Sequence, residues 1–310
     1  MHLRLALAVS AAVVLAAATS AGGMIRVDGA AHHAVAHPAP PPFVTPPGGS
    51  SAAAPNAFGG QTVTLYRADG SVFATRVSDA QGRPLSTRYD LGGGVTTEVD
   101  ATYGSSGARS LARRSPRHLA ASCGNDVRNP LSVKWATTEQ WYLNTSTVPG
   151  YLNLTNTITG LRDAHTEWTH VVNWCNIADA SGFSTNYGGV TTARFGGDGL
   201  NVVDWGSVAA LGLSGCSAPN TIACTEWWTL GSEIVESDTR FDNTGRTTWV
   251  NGSVSGKTDV QSTEAHEMGH TAGFGHVNDS TNVMYPTIFT NDTSNRKLGK
   301  GDAREDNAKY

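Results

Sequence analysis

Near the C-terminus the run His266-Glu267-Met268-Gly269-His270-Thr271-Ala272-Gly273-Phe274-Gly275-His276 combines three imidazoles, one carboxylate and two glycines beyond the second histidine. Its pattern is H-E-x-x-H-x-x-G-x-x-H. On a helix, residues four apart lie one above the other, so His266 and His270 can aim their rings at one point. Two neutral imidazoles on one face suit zinc. Glu267 lies one step round the helix, where its carboxylate can reach a water on the metal without being a ligand. Gly273 can end the helix, because glycine enters the left-handed conformation at little cost. The turn that follows can bring in His276 as a third ligand. Three protein ligands leave the fourth tetrahedral position for water, which marks a catalytic rather than a structural zinc. A closed structural site would need a fourth protein ligand, and no Cys or further His stands nearby in sequence. One or two His on a helix are commonly solvated or hydrogen-bonded core groups; three at this spacing, with the acid and the breaking glycine in place, favour the metal.

Eight residues past His276 stands Met284, in Val283-Met284-Tyr285-Pro286. With this second feature the chain resembles the metzincin metallopeptidases, and within them the matrixins. In that family a Met-containing turn follows the extended zinc motif and lies under the metal. Astacin-like and serralysin-like relatives carry a Tyr two residues after the Met, whereas Tyr285 is adjacent to Met284. The resemblance covers about residues 122–310 and is concentrated in 262–286. It implies an α+β, metzincin-like zincin: a twisted mixed β-sheet, a long N-terminal helix, an active-site helix, the Met-turn and a short C-terminal helix.

Those elements can be sought in the chain. Residues 133–144 read as a first strand. Residues 158–174 are helical by periodicity, with Ile158, Leu161, Ala164, Trp168, Val171 and Val172 on one face. Ala164-His165-Thr166-Glu167-Trp168 is similar to the A-x-x-x-W pattern of the matrixin first helix. His165 and His170, five apart, read as capping or solvated groups. Residues 200–208 and 228–241 supply further strands, Thr263 is a candidate N-cap of the active-site helix, and residues 298–310 read as the C-terminal helix.

Upstream the chain changes character. Residues 1–21 read as a signal peptide, with a basic start at Arg4, an apolar run too short to span a bilayer and small residues for cleavage. Residues 22–60 are rich in Pro, Ala and Gly and are expected to be disordered; His32, His33 and His37 within them read as linker residues rather than a metal-capturing tract. Residues 61–121 read as a β-rich propeptide and basic linker: a hairpin turning at Asp69-Gly70, two further strands around Gly82 and Gly92-Gly93-Gly94, then Arg109, Arg113, Arg114 and Arg117. Residues 122–310 form the catalytic domain. At 39% apolar and 15% charged, with net charge −4, the composition is globular and gives no reason to expect nucleic acid or an anionic membrane as partner. Only 5 of the 22 basic residues are Lys, a usage resembling exported proteins of GC-rich bacteria.

Four cysteines, Cys123, Cys175, Cys216 and Cys224, all lie in the catalytic portion, as two disulfides would require in an exported chain. Cys216–Cys224 closes a short loop, which leaves Cys123–Cys175. The competing assignment comes from the resemblance: Cys123-Gly124 is similar to the core of the P-R-C-G motif through which many animal matrixins hold latency. Ala121-Ser122 stand where Pro-Arg should be, however, and that use would strand Cys175. A second departure is Arg240, in Ser237-Asp238-Thr239-Arg240-Phe241-Asp242, at the place of a family His ligand to a structural zinc. That zinc is therefore expected to be absent. Asp242 is a candidate calcium ligand, with a surface carboxylate as the simpler reading.

The resulting expectation is a secreted, extracellular, monomeric endopeptidase acting on protein or peptide substrates, free of the membrane once the signal is removed. It would use one catalytic Zn²⁺ held by His266, His270 and His276. Glu267 would act as general base to the zinc-activated water. Met284 would form the Met-turn, with Tyr285 and Pro286 walling the substrate pocket. The alternative is a non-catalytic secreted zinc-containing binding or adhesion module on the same scaffold, which would have no need of Glu267.

Overall fold

A computed structural model describes residue 37 and residues 39–105 and 122–310. The signal peptide, most of the 22–60 segment with His32 and His33, and the basic linker lie outside the described residues. The protein is α+β. Its strands are β1 (Ser50–Pro55), β2 (Gln61–Tyr66), β3 (Val72–Ser78), β4 (Pro84–Gly92), β5 (Val95–Ser105), β6 (Glu139–Leu143), β7 (Thr185–Val190), β8 (Asn201–Gly206), β9 (Thr221–Leu230), β10 (Glu233–Asp242), β11 (Trp249–Val250), β12 (Thr258–Asp259) and β13 (Thr287–Phe289). The helices are α1 (Leu154–Thr169), α2 (Val260–Thr271) and α3 (Lys300–Lys309).

One mixed sheet runs β1-β2-β3-β4-β5-β9-β10-β8-β6-β7, with β13 added against β5. The meander β1–β5 and the strands after residue 122 thus belong to a single sheet, joined where β5 pairs antiparallel with β9 from Val95↔Leu230 to Tyr103↔Thr221. The sequence divides the chain at 121; the sheet does not. The expected disordered stretch also ends early, because Ser50–Pro55 pairs with β2. All six residues of β1 are exposed. This Ser/Ala run buries nothing and is held by backbone bonds alone, which is why composition did not announce it.

Several element bounds move for local reasons. Helix α1 starts earlier than the periodicity suggests, at Asn153, whose side chain accepts from Asn156 N, and ends at His170. Val171 follows with φ 45° and turns the chain out of the helix. The first strand is limited to Glu139–Leu143. The N-cap of α2 is Asp259 rather than Thr263; its carboxylate accepts from Ser262 N and Ser262 Oγ, while the Thr263 hydroxyl donates to the Asp259 carbonyl from inside the helix. Asp259 is further held by Arg296 through Nε at 2.8 Å and a terminal nitrogen at 2.6 Å.

Helices α1 and α2 pack against one another over a core that includes Ala164, Trp168, Ala265, Met268, Phe274 and Met284. The Trp168 indole donates to the Ala265 carbonyl at 2.7 Å. At Gly160 the two helices come close enough that a Cβ would stand in ordinary contact with Gln261 Cβ, at 3.5 Å. His165 lies on this packed face and is buried, with Nε2 2.9 Å from Glu264 and Nδ1 3.7 Å from Glu139; it is neither a cap nor solvated.

Cys123–Cys175 and Cys216–Cys224 are both bonded, with Cα separations of 5.4 and 5.8 Å. Cys123 therefore offers no thiolate to a metal. The first bridge closes 52 residues of chain and ties the start of the 122–310 portion to the segment after α1. Replacing both of its cysteines with serine is expected to cost roughly 2–4 kcal/mol, read from the urea midpoint of the oxidised protein; an unchanged midpoint would contradict this.

Candidate metal centre

Helix α2 carries His266, Glu267 and His270, and its termination supplies the rest of the centre. Ala272 N donates to the Met268 carbonyl, and Gly273 follows with φ 78°. A side chain there would press on the Val133 carbonyl and Lys309 Nζ as well as straining the backbone. The turn carries His276 back to the helix. The three Nε2 atoms then lie 3.1 Å (His266–His270), 3.2 Å (His266–His276) and 3.1 Å (His270–His276) apart.

The ring tautomers follow from the partners. His266 Nδ1 donates to the Val283 carbonyl at 2.7 Å, and His270 Nδ1 donates to the Phe274 carbonyl at 2.9 Å. A carbonyl only accepts, so each Nδ1 carries the hydrogen and each Nε2 presents a lone pair. Burial depresses the basicity of all three rings: His266 falls to about 4, and His270 and His276 lie well below the usual histidine range, their mutual proximity adding to the effect. Neutral imidazoles with converging lone pairs repel one another unless a cation lies between them. Ligands at zinc–nitrogen distances of about 2.0–2.1 Å in a tetrahedron stand roughly 3.3 Å apart, so this donor set fits the ion. Among the described residues, this is the group of His, Cys, Asp or Glu able to hold a metal.

Glu267 is fully buried beside the triad. Thr225 Oγ1, on β9, donates to its Oε2 at 2.6 Å. Burial raises the carboxyl to about 7, an effect that the Thr225 and Thr102 hydroxyls partly offset. Asp100, on β5, places Oδ2 3.5 Å from His270 Nδ1, on the side of the ring away from the triad's centre. Neither Thr102, Asp100 nor Thr225 belongs to the linear motif, and nothing in the sequence marked them.

Met284 is buried under the helix, where Gly269 has no room for a side chain: a Cβ there would collide with Met284 Sδ and the Trp168 ring. The Met284 carbonyl accepts from Val277 N at 3.0 Å, and the Asp302 carboxylate accepts from Val283 N at 2.7 Å, so α3 fixes the turn. Tyr285 lines a cavity of about 570 Å³, together with Ile222, Arg246, Thr287 and Phe289. Pro286 is not in that lining; its carbonyl accepts from Tyr103 N at 3.1 Å. Arg240 donates through Nε at 2.6 Å and a terminal nitrogen at 2.5 Å to buried Asp204. Asp242 accepts from Val208 N, Thr244 N and Thr244 Oγ1, so it caps a turn within the fold.

Comparison with known proteins agrees with this geometry. Residues 220–310 match the matrixin peptidase family. Matrilysin of Felis catus is 40% identical over 68 residues, which are 22% of this chain and 25% of the relative. Matrilysin of Homo sapiens is 39% identical over 67 residues, 22% of this chain and 24% of the relative. The chain thus carries a matrixin-like metzincin domain, spanning about a quarter of the length of the curated relatives it matches. No helix among the described residues is long and apolar enough to cross a membrane.

Proposed function

We propose that the protein is a secreted zinc-dependent endopeptidase. The observation that carries this reading is the convergence of three neutral Nε2 atoms next to a buried carboxylate that is not one of them. His266, His270 and His276 would hold one zinc ion, which when bound supplies Lewis-acid chemistry to a peptide carbonyl and to the attacking water. Glu267 takes the proton of that water and delivers it to the leaving amine. A carboxyl near neutrality is suited to both transfers. Thr225 orients it, and the carbonyls of Val283 and Phe274 keep the two helical imidazoles in the ligating tautomer. Substrate is a protein or peptide chain, with Tyr285 on the wall of the cavity that receives part of it. Residues 1–21 act as an export signal in this account, and residues 61–105 precede the catalytic portion as a pro-segment.

Two measurements test the reading. Metal analysis of purified protein is expected to give about one zinc per chain, lost on replacing His276 with alanine; a second equivalent would reveal a site that this account omits. Casein digestion by the protein cut between residues 105 and 122 should stop with a chelator and return with zinc. Zinc-loaded, cut protein that digests neither casein nor gelatin would overturn the assignment.

A further inference from the structure

The cavity of about 570 Å³ that Tyr285 lines is large enough for an amino-acid side chain. Its place relative to the metal centre follows from β9. Ile222 lines the cavity and precedes Thr225, whose hydroxyl donates to Glu267, on the same strand. At a strand rise of about 3.3 Å per residue the two positions are ~10 Å apart. An extended peptide with its scissile bond at Glu267 would therefore present a side chain to the cavity within about three residues of that bond. Tyr285 and Phe289 stand on one wall, their rings nearly parallel and 6.4 Å apart. Hydroxyls of Thr247, Thr258 and Thr287 make much of the rest polar. Two lining residues are arginines, Arg83 and Arg246, and none of the described residues that line the cavity is Asp or Glu. Arg83 is already paired, with Nε 2.6 Å from Asp79. Arg246 is held differently: Nη1 donates to the Ala218 carbonyl at 3.0 Å and to the Thr221 carbonyl at 3.2 Å. Both carbonyls belong to the loop closed by Cys216–Cys224, so the guanidinium is fixed against a braced segment.

Neutral carbonyls orient a guanidinium without balancing its charge. A guanidinium has five N–H donors in a planar fork, and one nitrogen is engaged here, which leaves the others for a ligand. The side chains that could enter the cavity then differ sharply. An aliphatic one would take water from Arg246 and return no acceptor. A glutamine offers one neutral oxygen. A carboxylate offers two oxygens and the opposite charge, and hydrogen bonds to ionised partners are about twice as strong as neutral ones. We propose that this cavity is a subsite for an acidic side chain, with Arg246 as the residue that sets the preference, so that the protein selects peptides bearing Glu or Asp close to the bond it cuts. This deepens the endopeptidase reading and rests on it. The selection is made partly by exclusion, since an apolar side chain in the same place leaves the guanidinium without a partner.

The test uses the zinc-loaded protein cut between residues 105 and 122 and a set of fluorogenic peptides with amidated C-termini. A single Glu is moved through the positions on either side of the scissile bond, and each peptide has a twin with Gln in its place. At one position the Glu peptide is expected to exceed its twin by ~10-fold or more in kcat/KM, the return on one charge-assisted hydrogen bond. Arg246→Met should bring that ratio close to one, and Arg246→Lys, which keeps the charge, should retain part of it. Affinities of the same twins for the cut Glu267→Gln chain, read by fluorescence anisotropy, separate the subsite from turnover. Ratios near one at every position, in kcat/KM and in affinity, would overturn the proposal, and that comparison needs no Arg246 variant to fold. A Glu preference that survives Arg246→Met would overturn it too. So would a preference that appears in the Gln peptides once their C-terminal carboxylate is left free, since the cavity would then read a chain end. If the Glu peptide binds more tightly through Arg246 and no peptide is hydrolysed, the subsite stands and the endopeptidase reading falls.

Discussion

Exchanging Glu267 for glutamine in the cut, zinc-loaded protein is expected to lower peptide turnover by at least ~10²-fold, the usual contribution of a positioned acid–base group, with zinc content and melting temperature unchanged. Glutamine has nearly the shape of glutamate and carries no charge. Its amide oxygen can accept the Thr225 hydroxyl that now donates to Glu267 Oε2. What glutamine lacks is the ability to take and return a proton near neutrality. The ligating imidazoles keep their own carbonyl partners at Val283 and Phe274, so metal binding has no reason to change. Measuring kcat/KM beside zinc content separates the two roles. Turnover close to wild type would remove Glu267 from the mechanism; loss of zinc would mean that its carboxylate helps to hold the ion.

The second large effect concerns stability. Arg240→Leu is expected to destabilise the protein by roughly 3–5 kcal/mol, the cost of leaving one partner of a buried ion pair without the other. Asp204 is fully buried and accepts two guanidinium hydrogen bonds from Arg240. Arg194 lies 3.8 Å from the same carboxylate but is largely exposed, so it can replace only part of the loss. The double change Arg240→Leu with Asp204→Leu should recover much of the stability, because no buried charge then remains unpaired. Urea midpoints of the three variants decide the matter. A single-variant loss below about 1 kcal/mol would place the pair in the class of weak exposed ion pairs. Where the matrixin resemblance leads one to expect a histidine ligand, this chain uses an arginine to neutralise an aspartate inside the sheet.

The centre was legible in the sequence because its geometry is local. His266 and His270 are one helical turn apart, Gly273 ends that turn, and His276 follows within the same short run, so residue types and spacing nearly dictate where the nitrogens meet. The hairpin β2–β3 was legible for the same reason: its turn at Asp69-Gly70 joins adjacent strands. The cysteines were within reach too, since four thiols and one tight loop leave few pairings. Tertiary structure alone decided what surrounds the centre. Thr225 reaches Glu267 from a strand far off in the chain, and Asp204 meets Arg240 across the sheet. Periodicity read the apolar face of α1 from Ile158, Leu161, Ala164 and Trp168 and left His165 as a capping or solvated group; only the packing of α1 on α2 showed that it is buried against Glu264. Above all, the sequence could mark a short strand beside Gly92-Gly93-Gly94 without saying which strand it joins. A ladder is made by backbone groups common to every residue, so its partners across more than a hundred residues leave little trace in side-chain type. That pairing, β5 to β9, is what closes the centre.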